Sequence, residues 1–288
     1  MESLGDALKR FLRVERVSDE PVSQCPYCGK DLYLMQLHKR TEEGEWIPIG
    51  PPYVEECDCE EAQRERQAQR RKEILQAISK QKQAKIQHLL KKSGIGERFI
   101  HRTFANWDRN YNPKAYNAAL TYAKQWWENM KHGKGLYIYG PYGTGKTHLA
   151  GAIMQYIIQN YETPALFGTL SRLLQPLKDA IGAGNTYRLE KERELLYTVD
   201  LLVIDDLGKE RPTDFVVEEL FNLINMRYEK IKPTIITSNY TMQELEQKYN
   251  AWSKDYGEKD VGSAIISRLR EMCYFIKLEG EDYRERRR

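Results

Sequence analysis

Two residue groups in this chain have the types and spacing to do chemistry. The first is GPYGTGKT at 140–147, which matches G-x-x-x-x-G-K-[ST]. Gly140, Gly143 and Gly145 let a backbone curl until consecutive N–H groups point inward, and the helix that follows adds unpaired donors and a positive dipole end. Such a cradle holds the phosphates of a nucleotide. Lys146 reaches the β- and γ-phosphates and Thr147 offers a hydroxyl to Mg²⁺. Pro141, Tyr142, Thr144 and His148 complete the expected binding loop. The second group is Cys25-x-x-Cys28 and Cys57-x-Cys59, two pairs with 28 residues between them. Four thiolates in a tetrahedron suit a closed structural Zn²⁺ site. The C-x-C half is unusual, which leaves His38 as a possible substitute ligand, and a redox dithiol is the competing reading. Cys273 stands alone on an apolar strand and reads as a core thiol.

Two more segments belong with the phosphate loop. LLVIDD at 201–206 ends an apolar strand in adjacent carboxylates. Neighbouring strand residues point opposite ways, so Asp205 and Asp206 cannot face one spot while the strand stays regular. The expected division puts Asp205 on Mg²⁺ and Asp206 on the attacking water. TIITSN at 234–239 ends in Asn239, placed to hydrogen-bond that water or the γ-phosphate if its strand lies between the other two.

These residues need a scaffold. From residue 113 onward helical and strand patterns alternate: helix 113–130, strand 136–140, helix 147–160, strand PALFGT, helices 169–181 and 186–198, strand DLLVID, helix 213–230, strand TIITSN, helices 242–249 and 261–271, and strand CYFIKL. That order implies an α/β fold with a parallel sheet covered on both faces. Ahead of it, the cysteines bound a small hairpin, with strands at DLYLMQLH and EWIPI. Residues 3–13 carry a helical stripe of Leu4, Leu8, Phe11 and Leu12. Residues 60–92 hold ten Lys or Arg against four Glu with no Gly or Pro, which predicts a long solvated helix ended by SGIG at 93–96. The expected division is a zinc-binding domain at 1–60, a basic helical linker at 61–95 and an ATPase domain at 96–288.

The 288 residues carry a net charge of +3, and 41% are apolar. That is enough to build a core and excludes wholesale disorder. No apolar run reaches the roughly 18 residues of a membrane span, and the first residues lack a secretory pattern. A cytoplasmic protein with no membrane partner is expected.

Taken together, the motifs at 140–147, 201–206 and 239 resemble those of the AAA+ superfamily of P-loop ATPases. Within it the chain is similar to bacterial and phage helicase loaders of the DnaC/DnaI type. The resemblance rests on RFIHRTFANWD at 98–108, LLVIDDLG, the two helices before that strand, and SRLREM with the closing GEDYR. It implies an AAA+ core with an arginine finger at Arg268 acting on the neighbouring subunit. Arg270, about 200° further round a helix, cannot serve the same site. The chain departs from the AAA+ pattern twice: it leaves no room after CYFIKL for the usual C-terminal helical lid, and Asp206 stands where many relatives carry Glu, which points to slow hydrolysis. The resemblance also implies self-assembly, a hexameric replicative helicase gripped by the N-terminal region, and single-stranded DNA on the ATPase core. Lys209, Arg211, Phe215, Arg172 and Lys178 are candidate strand contacts. The alternatives are a transposition helper ATPase of the IstB type on duplex DNA and a zinc-dependent adaptor that merely binds nucleotide.

Overall fold

The structure is a computed structural model, and it describes residues 11–255 and 260–283. It forms two compact units that meet in sequence at Gln81 and Lys82.

In the first unit, β4 (Leu34–Arg40) is the hub of an antiparallel sheet. It pairs with β1 (Leu12–Arg16), β5 (Trp46–Pro48) and β6 (Tyr53–Val54). The β4–β5 hairpin is the one expected from DLYLMQLH and EWIPI. A second ladder joins β2 (Ser23–Gln24) to β3 (Asp31–Leu32) and brackets CPYC. The helix expected over 3–13 is not supported where it can be checked. Residues 3–10 lie outside the described residues, and Leu12 begins β1, whose five residues all pair with β4. An isolated helix of that length is marginal in water, and a full ladder of interstrand bonds outweighs its weak stripe. Helix α1 (Glu60–Lys92) then runs without interruption, as its composition predicts.

The second unit is a five-stranded parallel sheet. In chain order its strands are β7 (Gly135–Tyr139), β8 (Ala165–Thr169), β9 (Leu201–Leu207), β10 (Thr234–Ser238) and β11 (Cys273–Lys277), and across the sheet they run β11-β7-β10-β9-β8. Alternate residues feed two separate cores. Leu136, Ile138, Leu201, Val203 and Ile235 pack on one face with α4 (Lys146–Tyr161). Tyr137, Leu202, Ile204 and Ile236 pack on the other with α7 (Asp214–Glu229) and α9 (Val261–Met272). Burial on both faces explains why these strands read as unbroken apolar runs. Between β8 and β9 lie α5 (Leu170–Gly182) and α6 (Thr186–Thr198), the two expected helices. The helix expected over 113–130 is broken at Gln125 into α2 (Pro113–Lys124) and α3 (Trp126–Lys131). The break seats the fully buried Trp126, whose indole N–H donates to Thr163 at 2.9 Å. Between β10 and α9, α8 (Met242–Asp255) outlasts the expected 242–249.

A fully buried arginine ties this sheet together. Arg227 donates to the carbonyls of Leu196, Val199 and Pro233 at 2.8, 2.9 and 2.6 Å and to the Thr234 hydroxyl at 2.9 Å. Burial drives its pKa down to about 9. Among the described residues no helix is long and apolar enough to cross a membrane.

Candidate nucleotide site and cysteine cluster

The phosphate loop leaves β7 and opens α4 at the carboxyl ends of the parallel strands, where an open α/β sheet binds ligands. Gly143 and Gly145 hold φ of +74° and +91°, a region open mainly to glycine. A Cβ on Gly145 would meet the Trp107 ring at 2.9 Å, and one on Gly143 would fall about 2 Å from the Asp282 carboxyl. Gly145 is therefore required by its neighbour as well as by its backbone, and Gly143 by its backbone, since the Asp282 side chain can swing aside. Lys146 is 5% exposed, and its ammonium donates to the carbonyls of Gly140 and Pro141 at 2.9 and 2.7 Å. The buried Thr144 hydroxyl donates to Pro141 at 2.9 Å and braces the same turn.

Strand order brings the remaining groups to this loop. β10 pairs with β7 on one side and β9 on the other, so Asn239 exits between the phosphate loop and the acidic strand. The Thr147 hydroxyl donates to Asp205 Oδ1 at 2.9 Å, and the Thr237 hydroxyl donates to the same oxygen at 2.6 Å. Burial raises the Asp205 carboxyl above its ordinary pKa, against the pull of the Thr237 and Thr147 hydroxyls. A cavity of about 340 Å³ is lined by Tyr142, Gly143, Gly145, Lys146, Thr147, His148, Asp205, Asp206 and Asn239 together. Gly140, Pro141 and Thr144 sit behind that lining and hold Lys146 and the turn in place.

The two carboxylates share the cavity because the strand is not regular. Between Ile236 and Ser238, β9 spends one residue more than β10, a β-bulge, and Asp206 takes a left-handed φ of +56°. Its N–H donates to the Thr237 hydroxyl at 2.8 Å. Thr237 thus anchors both acids. Alternation had excluded this arrangement only for an unbroken strand.

Both side-chain polar atoms of Asn239 are buried without a hydrogen-bond partner at the lining of this cavity. Unpartnered buried amides are costly, so a polar group from a ligand or a water is the natural complement. Asn106, Trp107, Tyr111 and Tyr283 also line the cavity. The Tyr283 N–H donates to the Gly143 carbonyl at 3.2 Å, the Tyr111 hydroxyl donates to the Glu281 carbonyl at 2.8 Å, and the Tyr111 and Tyr283 rings lie 5.0 Å apart, tilted by 52°. FANWD and GEDYR carried the signal for this lining, but nothing in the sequence says that the two segments meet. Arg284, the last residue of GEDYR, lies outside the described residues.

Arg268 is not at this cavity. It donates to Asn225 Oδ1 at 2.7 Å and to the Ala264 carbonyl at 3.0 Å, with its guanidinium over the Phe221 ring. Arg270 pairs with Glu246. Of the candidate strand contacts, Lys209 pairs with Asp206, and Lys178 lies over the Phe215 ring at 5.5 Å.

In the first unit the ligand atoms of Cys25, Cys28, Cys57 and Cys59 all lie within 4.8 Å of one another. Cys25–Cys59 and Cys28–Cys57 are 3.7 and 3.4 Å apart. A zinc tetrahedron with arms of about 2.3 Å has edges of about 3.8 Å, so the set fits one metal ion. Backbone N–H groups of Cys28 and Tyr27 bring the Cys25 thiol down to about 6, as a knuckle turn does for a ligand. His38 takes no part in the cluster; it sits on β4 beside Glu15.

The family model for IstB-like ATP-binding proteins matches residues 62–288. The chain belongs to this family. The IstB-like chain is 27% identical to the uncharacterized protein YqaM of Bacillus subtilis (strain 168), over 98% of this chain and 91% of that one. It is 30% identical to an insertion-sequence ATP-binding protein of Mycobacterium tuberculosis, over 65% and 69% of the two chains. The crystal structure of the DnaC helicase loader matches 64% of it with a TM-score of 0.53 and 26% identity, using 100% of the loader chain. Membership of this family of AAA+-like ATPases is consistent with loading a helicase or with helping transposition.

Proposed function

We propose that this protein is an ATP-dependent loader that places a hexameric replicative helicase on single-stranded DNA, with hydrolysis of ATP to ADP and phosphate as its assembly switch. ATP with Mg²⁺ supplies the transferable phosphoryl and the charge that its transfer must neutralise. Lys146 exchanges its two loop carbonyls for the β- and γ-phosphates. Thr147 and Asp205, already hydrogen-bonded to each other, are the pair that would hold Mg²⁺. Asp206 accepts a proton from the attacking water or orients it, and the unpartnered amide of Asn239 holds that water in line. Arg268, remote from its own cavity, acts on the nucleotide of the next subunit, so that turnover follows assembly. Replacing Arg268 with Ala then abolishes assembly-stimulated hydrolysis and spares nucleotide binding; normal hydrolysis in the assembled state refutes the role.

The observation that carries the loader over a bare ATPase is the four-thiolate cluster in a unit of its own ahead of the core. Among the described residues the buried cluster there is Cys25, Cys57 and Ala62, a small core to which a metal would add folding free energy. The module would then be a rigid grip for the helicase. The IstB-type reading, a helper on duplex DNA, is favoured by the family match and the insertion-sequence relative. Co-purification separates them. The full chain should retain a hexameric replicative helicase in the presence of ATP, Cys57→Ser should lose it, and single-stranded DNA should outcompete duplex. Loss of the helicase from the unaltered chain together with a preference for duplex DNA supports the helper instead.

A further inference from the structure

The turn after Asp206 is built to hold one cation in place. The Leu207 carbonyl accepts from the Ser238 hydroxyl at 2.7 Å. The N–H of Gly208, at a φ of +92°, donates to the Glu210 carboxylate at 3.0 Å, and Glu210 also accepts from the buried Tyr249 hydroxyl. The Lys209 N–H closes the turn on the Asp206 carbonyl at 3.2 Å. Lys209 is thereby returned to the cavity it has just left. Its ammonium lies 2.6 Å from Asp206 Oδ2 and 5.2 Å from the centre of the Tyr142 ring on the phosphate loop. Lys209 lines the cavity with Asp206 and Asn239.

We infer that Lys209 is a latch on Asp206, a positioning residue that keeps the water-orienting carboxylate engaged and the resting hydrolysis rate low. The inference rests on the ATPase reading above. An ammonium 2.6 Å from Oδ2 occupies a lone pair that an attacking water would use. The left-handed backbone at Asp206 and the anchored turn set the two residues so that the Lys209 side chain reaches Oδ2. The Lys209 side chain is 43% exposed, so an anion arriving from solvent can draw it away without unfolding the turn. The latch adds a brake on turnover that is distinct from replacing Glu with Asp.

Steady-state hydrolysis of Mg²⁺·ATP by the full chain tests this. Lys209→Gln should raise kcat about two- to fivefold, the range of a partly exposed ion pair, with KM for ATP unchanged. Lys209→Arg should restore the low rate. In an Asp206→Asn background, Lys209→Gln should add nothing, because the latch acts through that carboxylate. A fall in kcat with a rise in KM would make Lys209 a phosphate ligand and overturn the latch. An unchanged kcat, or a gain that persists without the Asp206 carboxylate, overturns it as well. Binding of a fluorescent ATP analogue without hydrolysis in any variant, the unaltered chain included, sinks the ATPase reading itself and the latch with it.

Discussion

Asp205, the proposed Mg²⁺ ligand, is a carboxylate where burial disfavours charge, and this conflict predicts a measurable gain of stability on its removal. Asp205 is 6% exposed and has two hydroxyl donors, Thr147 and Thr237, on one oxygen. Asp205→Asn keeps an acceptor for both hydroxyls and removes the buried charge. Relief of such a functional strain is worth about 0.5–2 kcal/mol. In a unit of this size each kcal/mol moves Tm by about 2–4 °C, so the nucleotide-free variant should melt about 1–8 °C higher than the unaltered protein. Mg²⁺·ATP at a hundredfold excess over its Kd should add about 2.7 kcal/mol to the unaltered protein and little to the variant. The pH dependence has a definite sign. The native carboxyl has a raised pKa, so the native state holds the proton more firmly than the unfolded chain does. Its charge therefore destabilises the fold increasingly as pH rises from the unfolded value through the raised one. The gap between variant and parent should be full above the raised value and close as the solution is acidified through that window. Differential scanning calorimetry with and without Mg²⁺·ATP reads all of this. A nucleotide-free Asp205→Asn protein that melts below its parent, or one that keeps the full Mg²⁺-dependent shift, refutes the reasoning.

Three further outcomes are expected. Gly143→Ala puts a Cβ onto the Asp282 carboxyl and forces a left-handed alanine, at about 1–2 kcal/mol. ATP affinity measured by anisotropy should fall at least about tenfold, and an unchanged affinity would show that residues 280–283 do not brace the loop. Arg227→Met strands the carbonyls of Leu196, Val199 and Pro233, so urea unfolding should lose more than about 3 kcal/mol; a loss below about 1 kcal/mol contradicts that bonding. Protein purified without chelator should contain one zinc per chain. Stripping it should remove hydrogen-exchange protection from residues 11–59 while the sheet of the second unit stays protected, and a metal-free module that remains protected argues against a structural metal.

Much of the site was legible because local chemistry specifies it. A glycine-rich turn between strand and helix is required wherever backbone amides must converge, and GPYGTGKT satisfies that requirement within eight residues. The strands of the second unit were readable as apolar runs because both faces of their sheet are covered. Cys25, Cys28, Cys57 and Cys59 announced their cluster by spacing alone. The segment around Leu12 was misread because a short amphipathic stripe does not reveal that a partner strand, β4, is available.

The sequence alone determined the donors and acceptors: which residues could bind phosphate, which could hold a divalent ion and which could gather around zinc. It also determined the alternation of strands and helices, since that depends on periodicities a few residues long. Tertiary structure decided what these groups meet. The order β11-β7-β10-β9-β8 set Asn239 between loop and acid, the bulge turned Asp206 into the same cavity as Asp205, and the anchored turn returned Lys209 to Asp206. Residues 106–111 and Tyr283, far apart in the chain, completed the cavity lining. Pairing order, bulges and long-range closure depend on free energies shared among distant segments, which no local pattern of side chains carries.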